Sequence, residues 1–216
     1  MSATFVTGLD LGQLQDFSAL VTVQRTPGTD PENPGAVYDV RHLHRWPLGT
    51  PYTAVVADLR GWFCTGSLVG STLVVDGTGV GVGIVEMIKA AGLGARVEAF
   101  SITAGLKPGD GTVPKKDLVG AVQATLGTGR LRFVPGMPLT PTLVAELKNF
   151  RAKVTADRNE TFAAWREADH DDLVLALALA VWFAERHAVD PGCYSADPSE
   201  PLLPAWMGEL HENTGW

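Results

Sequence analysis

Hydrophobic residues form short, β-rich segments over the first 46 residues of the chain. Segments rich in glycine, proline or polar residues separate them, such as 26–35. The predicted strands are 5–10, 18–25 and 37–46. Consecutive strands joined by links this short are typical of an antiparallel meander. His42 and His44 alternate along the third strand and are predicted to be surface residues.

From residue 51 onward the pattern changes to helices that alternate with strands. The predicted helices are 51–63, one that closes at about Ala91 before Gly92, 114–126 and 140–151; the predicted strands are 72–76, 96–100 and 131–134. Thr50 is the predicted N-cap of the first helix, with Pro51 in its first turn. A meander followed by this alternation predicts an α/β fold, in which helices flank both faces of a mixed β-sheet.

The sequence pattern of the last third of the chain predicts a β-hairpin, a buried helix and a tail. Residues 153–155 and 161–165 are predicted to form an added β-hairpin before the last core helix. That helix, 171–187, is apolar on every side from 173 to 183, so it must be buried. We therefore expect one domain over 1–188 and an acidic, Pro/Gly-containing tail over 189–216.

Composition narrows the class of protein. Apolar residues make up 45% of the 216 residues and charged residues 19%, as in a globular chain. No apolar run approaches the roughly 18 residues of a membrane-spanning helix, and the N-terminus lacks the pattern of a signal peptide. Cys64 and Cys193 show no metal-ligand spacing, so a reducing cytosol is the expected compartment.

Charge is unevenly distributed along the chain. The net charge of −7 argues against nucleic-acid binding by overall electrostatics. Residues 107–166, however, hold ten Lys/Arg against five Asp/Glu, whereas 189–216 hold five acids and no Lys or Arg. The first region suits a phosphate backbone, although ordinary surface variation explains the same imbalance.

Acidic residues stand at the ends of three predicted elements. Asp10 and Asp76 end strands, and Asp171 and Asp172 begin the last helix. Sites collect at such ends, and the first two acids lie side by side if their strands are neighbours. Taken singly, each has an ordinary explanation: Asp10 is a turn residue, Asp76-Gly77 is a turn, and the helical acids are N-caps.

A buried helix that begins with two acids brings at least one carboxylate close to the interior. A buried carboxylate needs a cation or a proton. No Lys or Arg is near Asp10 or Asp76 in sequence, and oxygen-only ligands favour Mg²⁺ or Mn²⁺. Two such ions, about 3.5–4 Å apart, would activate a water and stabilise the leaving oxygen of a phosphodiester.

Three motifs occur together in the order found in a known family. G-L-D-L-G with D-F-S-A-L (8–12 and 16–20), L-V-V-D-G-T-G-V-G (73–81) and D-H-D-D-L-V-L-A-L-A-L-A (169–180) resemble the C-terminal nuclease domain of phage large terminases. The resemblance spans roughly residues 4–187, and 146–155 with the strand after it resembles that family's hairpin. It implies a ribonuclease H-like fold and an endonuclease that uses two metal ions to cut concatemeric viral DNA during genome packaging.

The resemblance also implies roles for single residues. Asp10, Asp76 and Asp172 match the metal-binding catalytic acids, and Asp171 matches an acid that assists them. The accessory candidates are Asp16 and His170. The candidate contacts to the DNA backbone are Lys115 and Lys116 at a helix start, and Arg151, Lys153 and Arg158 on the predicted hairpin.

The family's partners are expected here as well: double-stranded DNA, the ATPase motor, the small terminase and the capsid portal. The chain has no G-x-x-x-x-G-K-[ST] segment, so the motor is expected in a missing domain or a separate polypeptide. The expected location is the bacterial host cytoplasm, at the assembling capsid.

Other functions remain open at this point. Junction resolvases and transposases share the ribonuclease H-like class, and a catalytically inert DNA-docking module would keep the acids as structural residues. A dinucleotide site at 77–83 fails the G-x-G-x-x-G spacing. Actin-like sugar kinases share the D-L-G-x-x-x-D opening but need a larger, duplicated architecture.

Overall fold

The computed structural model describes residues 4–12, 16–31, 34–79, 82–104, 109–156 and 171–187, with the backbone alone for 150–156. Its strands are β1 (Thr4–Asp10), β2 (Ala19–Thr26), β3 (Val37–Arg45), β4 (Thr72–Asp76), β5 (Arg96–Thr103), β6 (Thr112–Pro114) and β7 (Leu131–Phe133). Its helices are α1 (Tyr52–Phe63), α2 (Val82–Ala90), α3 (Lys115–Gly127), α4 (Thr140–Ala156) and α5 (Asp172–Arg186).

The strands form one mixed sheet in the order β6-β5-β4-β1-β2-β3-β7. The first three pair antiparallel, which confirms the predicted meander. Strand β4 pairs parallel with β1, β5 with β4, β6 with β5, and β7 with β3. Strands β1, β3, β4, β5, β6 and β7 therefore end at the same edge of the sheet, which we call the carboxyl edge.

Helices cover both faces of this sheet, as the hydrophobic pattern predicts. Helix α5 packs on one face together with α3 and α4, and α1 and α2 pack on the other. The side chains of β1 and β4 alternate between these faces: Val6 and Val74 join the α5 core, whereas Leu9 and Val75 join the α1 core.

Helix α5 lies against β1 at a very close approach. A Cβ added at Gly8 would overlap the backbone carbonyl oxygen of Ala176 and come within 3.1 Å of the Ala180 nitrogen. The absence of a side chain at Gly8, together with the alanines of α5, lets the two backbones meet. This contact fixes the depth at which α5 rests on the sheet.

The predicted hairpin is wrong in its first strand. Residues 153–155 continue helix α4, which ends at Ala156 rather than near residue 151. No glycine or proline interrupts 142–156. Val154 and Thr155 favour strands, but each costs a helix less than about 1 kcal/mol, which is too little to end a helix already formed. The second predicted strand, 161–165, lies outside the described residues.

Three smaller expectations also need correction. Thr50 does not cap α1: the N-cap is Pro51, and the Thr50 hydroxyl donates to the Pro47 carbonyl at 2.7 Å. Strand β6 was not predicted, because three residues are too few to show alternation. His42 and His44 are not surface residues, since both rings pack edge-on against a tryptophan of α1. Burial, and then the neighbouring histidine, lowers the pKa of His42 to about 4.

Within the described ranges, no helix has the length and apolar character to cross a membrane. The predicted tail, 189–216, lies outside them.

Candidate metal site at the carboxyl edge

Asp10 and Asp76 occupy adjacent positions on neighbouring parallel strands. They directly follow the paired residues Leu9 and Val75, so their Cα atoms are separated by about one inter-strand spacing, ~4.8 Å. Leu9 and Val75 point into the core under α1. Because successive side chains of a strand point to opposite faces, Asp10 and Asp76 point to the face that α5 covers. Asp10 is only 9% exposed and Asp76 only 4%. The condition under which the two acids lie side by side, that β1 and β4 are neighbours, is met.

The first turn of α5 reaches the same edge of the sheet. Gly8 lies against Ala176. Ala176 is four residues after Asp172, so the two are about 6 Å apart along the axis of α5. Asp10 lies two residues beyond Gly8, a rise of about 6.6 Å along the strand. Because these two rises are similar, Asp172 lies close to the level of Asp10. Asp172 is buried and Asp171 is half-buried.

The direction of α5 is fixed by a contact from α4. The Val174 backbone N–H donates to Glu146 Oε2 at 3.1 Å, and the other Glu146 oxygen pairs with Arg45 at 3.4 Å. Arg45 ends β3 and is in register with Ala19, which in turn pairs with Asp10. The start of α5 is therefore at the carboxyl edge and not at the opposite one.

Negative charge is concentrated at this edge. Asp10, Asp76, Asp172 and Glu146 are all less than 10% exposed. The pKa of Glu146 is raised to about 7, first by burial and further by the charges of Asp172 and Asp171, while the Val174 N–H and Arg45 act to lower it.

Three hydrogen bonds hold the loops that follow β1 and β4. Asp76 Oδ1 accepts the Thr78 backbone N–H at 2.7 Å, and the Thr78 hydroxyl accepts the Ile102 N–H at 2.7 Å, which joins the loop after β4 to β5. The Tyr52 hydroxyl donates to the Gly12 carbonyl at 2.9 Å just beyond Asp10. Burial, and then the charge of Asp10, raises the pKa of Tyr52.

The donor chemistry of this edge fits a hard divalent cation. The acids supply oxygen ligands only, they are buried, and the positive end of α5 favours the two carboxylates in its first turn. Among the described residues, no group of three or more His, Cys, Asp or Glu side chains is arranged as a ready metal cage. Asp10, Asp76 and Asp172 thus share one edge of the sheet without forming a metal cage in this structure.

The other predicted site residues have separate outcomes. Asp16 is exposed in the loop between β1 and β2. Arg151 and Lys153 belong to the helical backbone of α4, and their side chains lie outside the described part. His170 and Arg158 lie outside the described residues altogether.

Lys115 and Lys116 begin α3 at the carboxyl edge. The preceding residue, Pro114, pairs with Thr103, three residues beyond the β5 partner of Asp76. Lys115 is thus about 13 Å beyond Asp76 along the strands and about 10 Å across them, or roughly 16 Å away. Lys115 is half-buried and Lys116 is exposed.

Sequence reasoning missed Glu146 and Arg45 as residues of this edge. A signal for Glu146 does exist: it stands three residues after Leu143 and one before Leu147, on the side of α4 that packs against the core. An acid at a core-facing helical position needs a buried partner, which would have marked it for attention. Arg45 gives no such signal, because its partner is distant in sequence.

Comparison with solved structures gives the fold a family context. The crystal structure of the large terminase nuclease from thermophilic phage G20c with bound zinc superposes with a TM-score of 0.52 at 22% identity, covering 82% of this chain and 80% of that one. The chain has the fold of a large terminase nuclease domain. The human cytomegalovirus terminase nuclease domain, Mn soaked, has the same TM-score at 10% identity, covering 86% and 85% of the two chains.

The terminase nuclease fold confirms the ribonuclease H-like architecture implied by the three motifs. No protein-family model matches the sequence, and no curated protein matches it either. The zinc and manganese named for these two structures are properties of those proteins.

Proposed function

We propose that this chain is a metal-dependent endonuclease that cleaves double-stranded DNA during phage genome packaging. The observation that carries the proposal is the placement of Asp10 and Asp76 on adjacent strand ends, beneath the first turn of α5 with Asp172. Convergence of acids from three distant segments at one edge of a terminase nuclease fold is what cleavage of a phosphodiester by metal ions requires.

Asp10, Asp76 and Asp172 would hold the metal, and Asp171 would assist them from the edge of the cluster. Two bound divalent ions, Mg²⁺ or Mn²⁺, supply activation of a water and stabilisation of the leaving oxygen. Burial of the acids strengthens their electrostatic hold on a cation, because less water screens the charges. The positive end of a helix favours carboxylates in its first turn, and a carboxylate must be deprotonated to act as a ligand.

The DNA backbone would lie across the carboxyl edge. Lys115 and Lys116 are roughly 16 Å from Asp76, within reach of one duplex whose phosphates recur every ~3.4 Å along each strand. Arg151, Lys153 and Arg158 stay predictions as further contacts. The net charge of −7 makes unaided DNA binding weak, which is consistent with a partner holding the duplex.

The proposed partners are a terminase ATPase motor, the small terminase and the portal, at the assembling capsid in the host cytoplasm. A junction resolvase or transposase would use the same acids on a different substrate. Preferential cutting of four-way junctions over linear duplex would favour that alternative. Binding of DNA without any cleavage under Mn²⁺ would favour an inert docking module.

The test is a plasmid-nicking assay in Mn²⁺ with Asp10→Asn, Asp76→Asn and Asp172→Asn. Each should lose nicking by at least about 10²-fold, because the amide removes a ligand charge. Glu86→Gln is the matched control, since Glu86 is an exposed acid on α2, on the opposite face of the sheet. Wild-type nicking in all three aspartate variants would overturn the proposal.

A further inference from the structure

Helix α5 has no capping hydrogen bond from the side chain of its N-cap residue, Asp171. A helix start normally leaves its first amide groups to be satisfied by such a side chain. The third amide of α5, that of Val174, instead donates to Glu146 Oε2, 28 residues away on α4.

Glu146 is held for this role from its other side. Its second oxygen pairs with Arg45 at 3.4 Å, and the Arg45 guanidinium lies 4.2 Å from the centre of the Phe17 ring. Glu146 is only 6% exposed, so water does not compete effectively for either contact. The glutamate thus bridges the start of α5 to the end of β3.

We propose that Glu146 is a positioning residue, which fixes the first turn of α5 and thereby holds Asp172 over Asp10 and Asp76. This inference rests on the proposed metal site. Because Glu146 performs the capping, the carboxylates of Asp171 and Asp172 are not needed for it. One oxygen of Glu146 accepts the Val174 N–H and the other pairs with Arg45, so the glutamate is held from both sides.

The test compares Glu146→Ala with Glu146→Gln. Glutamine keeps an oxygen that can accept the Val174 N–H and has nearly the same shape, whereas alanine removes the acceptor. Two readouts are measured on the metal-free protein: hydrogen exchange at the Val174 amide by NMR, and Mn²⁺ affinity by electron paramagnetic resonance. Thermal unfolding confirms that each variant is folded, and Glu86→Gln is again the control.

In Glu146→Ala, exchange at Val174 should rise by at least about tenfold, because the side-chain acceptor of this amide is removed. Mn²⁺ affinity should fall by about 10–100-fold, which is the usual effect of removing a residue that supports metal ligands. Glu146→Gln should recover most of both losses. If the alanine variant does not fold, Glu146→Gln alone still tests the positioning role of Glu146.

Unchanged exchange and Mn²⁺ affinity in both variants would overturn the positioning role. Equal loss of affinity in both variants would overturn it too, because the charge of Glu146 and not its hydrogen bond would then matter, as for a direct ligand. If the wild type binds no Mn²⁺ while exchange responds as expected, the proposed function fails, and Glu146 only holds the helix in place.

Discussion

Gly8→Ala tests the link between the packing of α5 and the metal site. The added Cβ would overlap the backbone carbonyl of Ala176, and a backbone atom has no rotamer by which to move aside. Helix α5 must therefore shift away from β1. Overpacking of this kind costs about 3 kcal/mol, which at 2–4 °C per kcal/mol lowers Tm by roughly 6–12 °C.

The same shift should damage the site, since Asp172 is only one turn from Ala176. A displacement of about 1 Å at a catalytic group can cost 10²-fold in rate. We expect Gly8→Ala to lose Mn²⁺ affinity and nicking even at temperatures where it is fully folded. Circular dichroism melts, Mn²⁺ titration and the nicking assay measure the three effects.

Gly120→Ala is the matched control. Gly120 lies within α3, and an added Cβ there would meet nothing within 4 Å. Removing a helical glycine should stabilise the protein by about 0.5–1 kcal/mol and leave the site unaffected. A Gly8→Ala variant with the Tm and Mn²⁺ affinity of the wild type would refute the close-packing argument.

Three further predictions concern an ion pair of α5, the lysines at the start of α3 and the proposed metal. Arg130 and Tyr38 donate to Glu185 at 2.6 Å each, and the Arg130 bond is the main cause that lowers the Glu185 pKa. The pKa of Glu185 is thus lower in the folded state than in the unfolded state. The stabilisation from this ion pair is therefore complete above the unfolded-state pKa and is lost as pH falls through the folded-state pKa. Urea titrations should show that Glu185→Gln is less stable than the wild type at pH 7 by about 1.5–3 kcal/mol, and that its stability depends less on acid. An acid dependence as steep as that of the wild type would contradict this. Replacing Lys115 and Lys116 together with Ala should reduce the salt dependence of DNA binding by about two in log–log slope, and an unchanged slope would remove them from the DNA path. Excess EDTA should stop cleavage, and added Mn²⁺ should restore it, whereas activity that persists in EDTA would contradict a metal mechanism.

The sequence predicts the elements of the fold well where their patterns are long. Strand β1, with its terminal Asp10, and the apolar helix α5 follow directly from hydrophobic pattern and length. The adjacency of Asp10 and Asp76 depended on a parallel pairing of β1 with β4, which spacing alone allowed but did not require. The sequence analysis therefore left the pairing as a condition, which the structure meets.

Failures of prediction came from tertiary contacts. Residues 153–155 have a β-like composition, but the helix that precedes them continues through them. His42 was expected at the surface because its strand alternates, yet Trp62 of α1 covers that side of the strand. Glu146 was passed over because its partners, Val174 and Arg45, are distant in sequence and meet it only in the folded chain.

The most direct test of the central claim is a crystallographic Mn²⁺ soak measured at a wavelength that gives an anomalous signal from manganese. We predict one or two anomalous peaks at the carboxyl edge, with oxygens of Asp10, Asp76 and Asp172 as ligands. Saturating Mn²⁺ with no peak there, or an ion bound only elsewhere on the chain, would contradict the account.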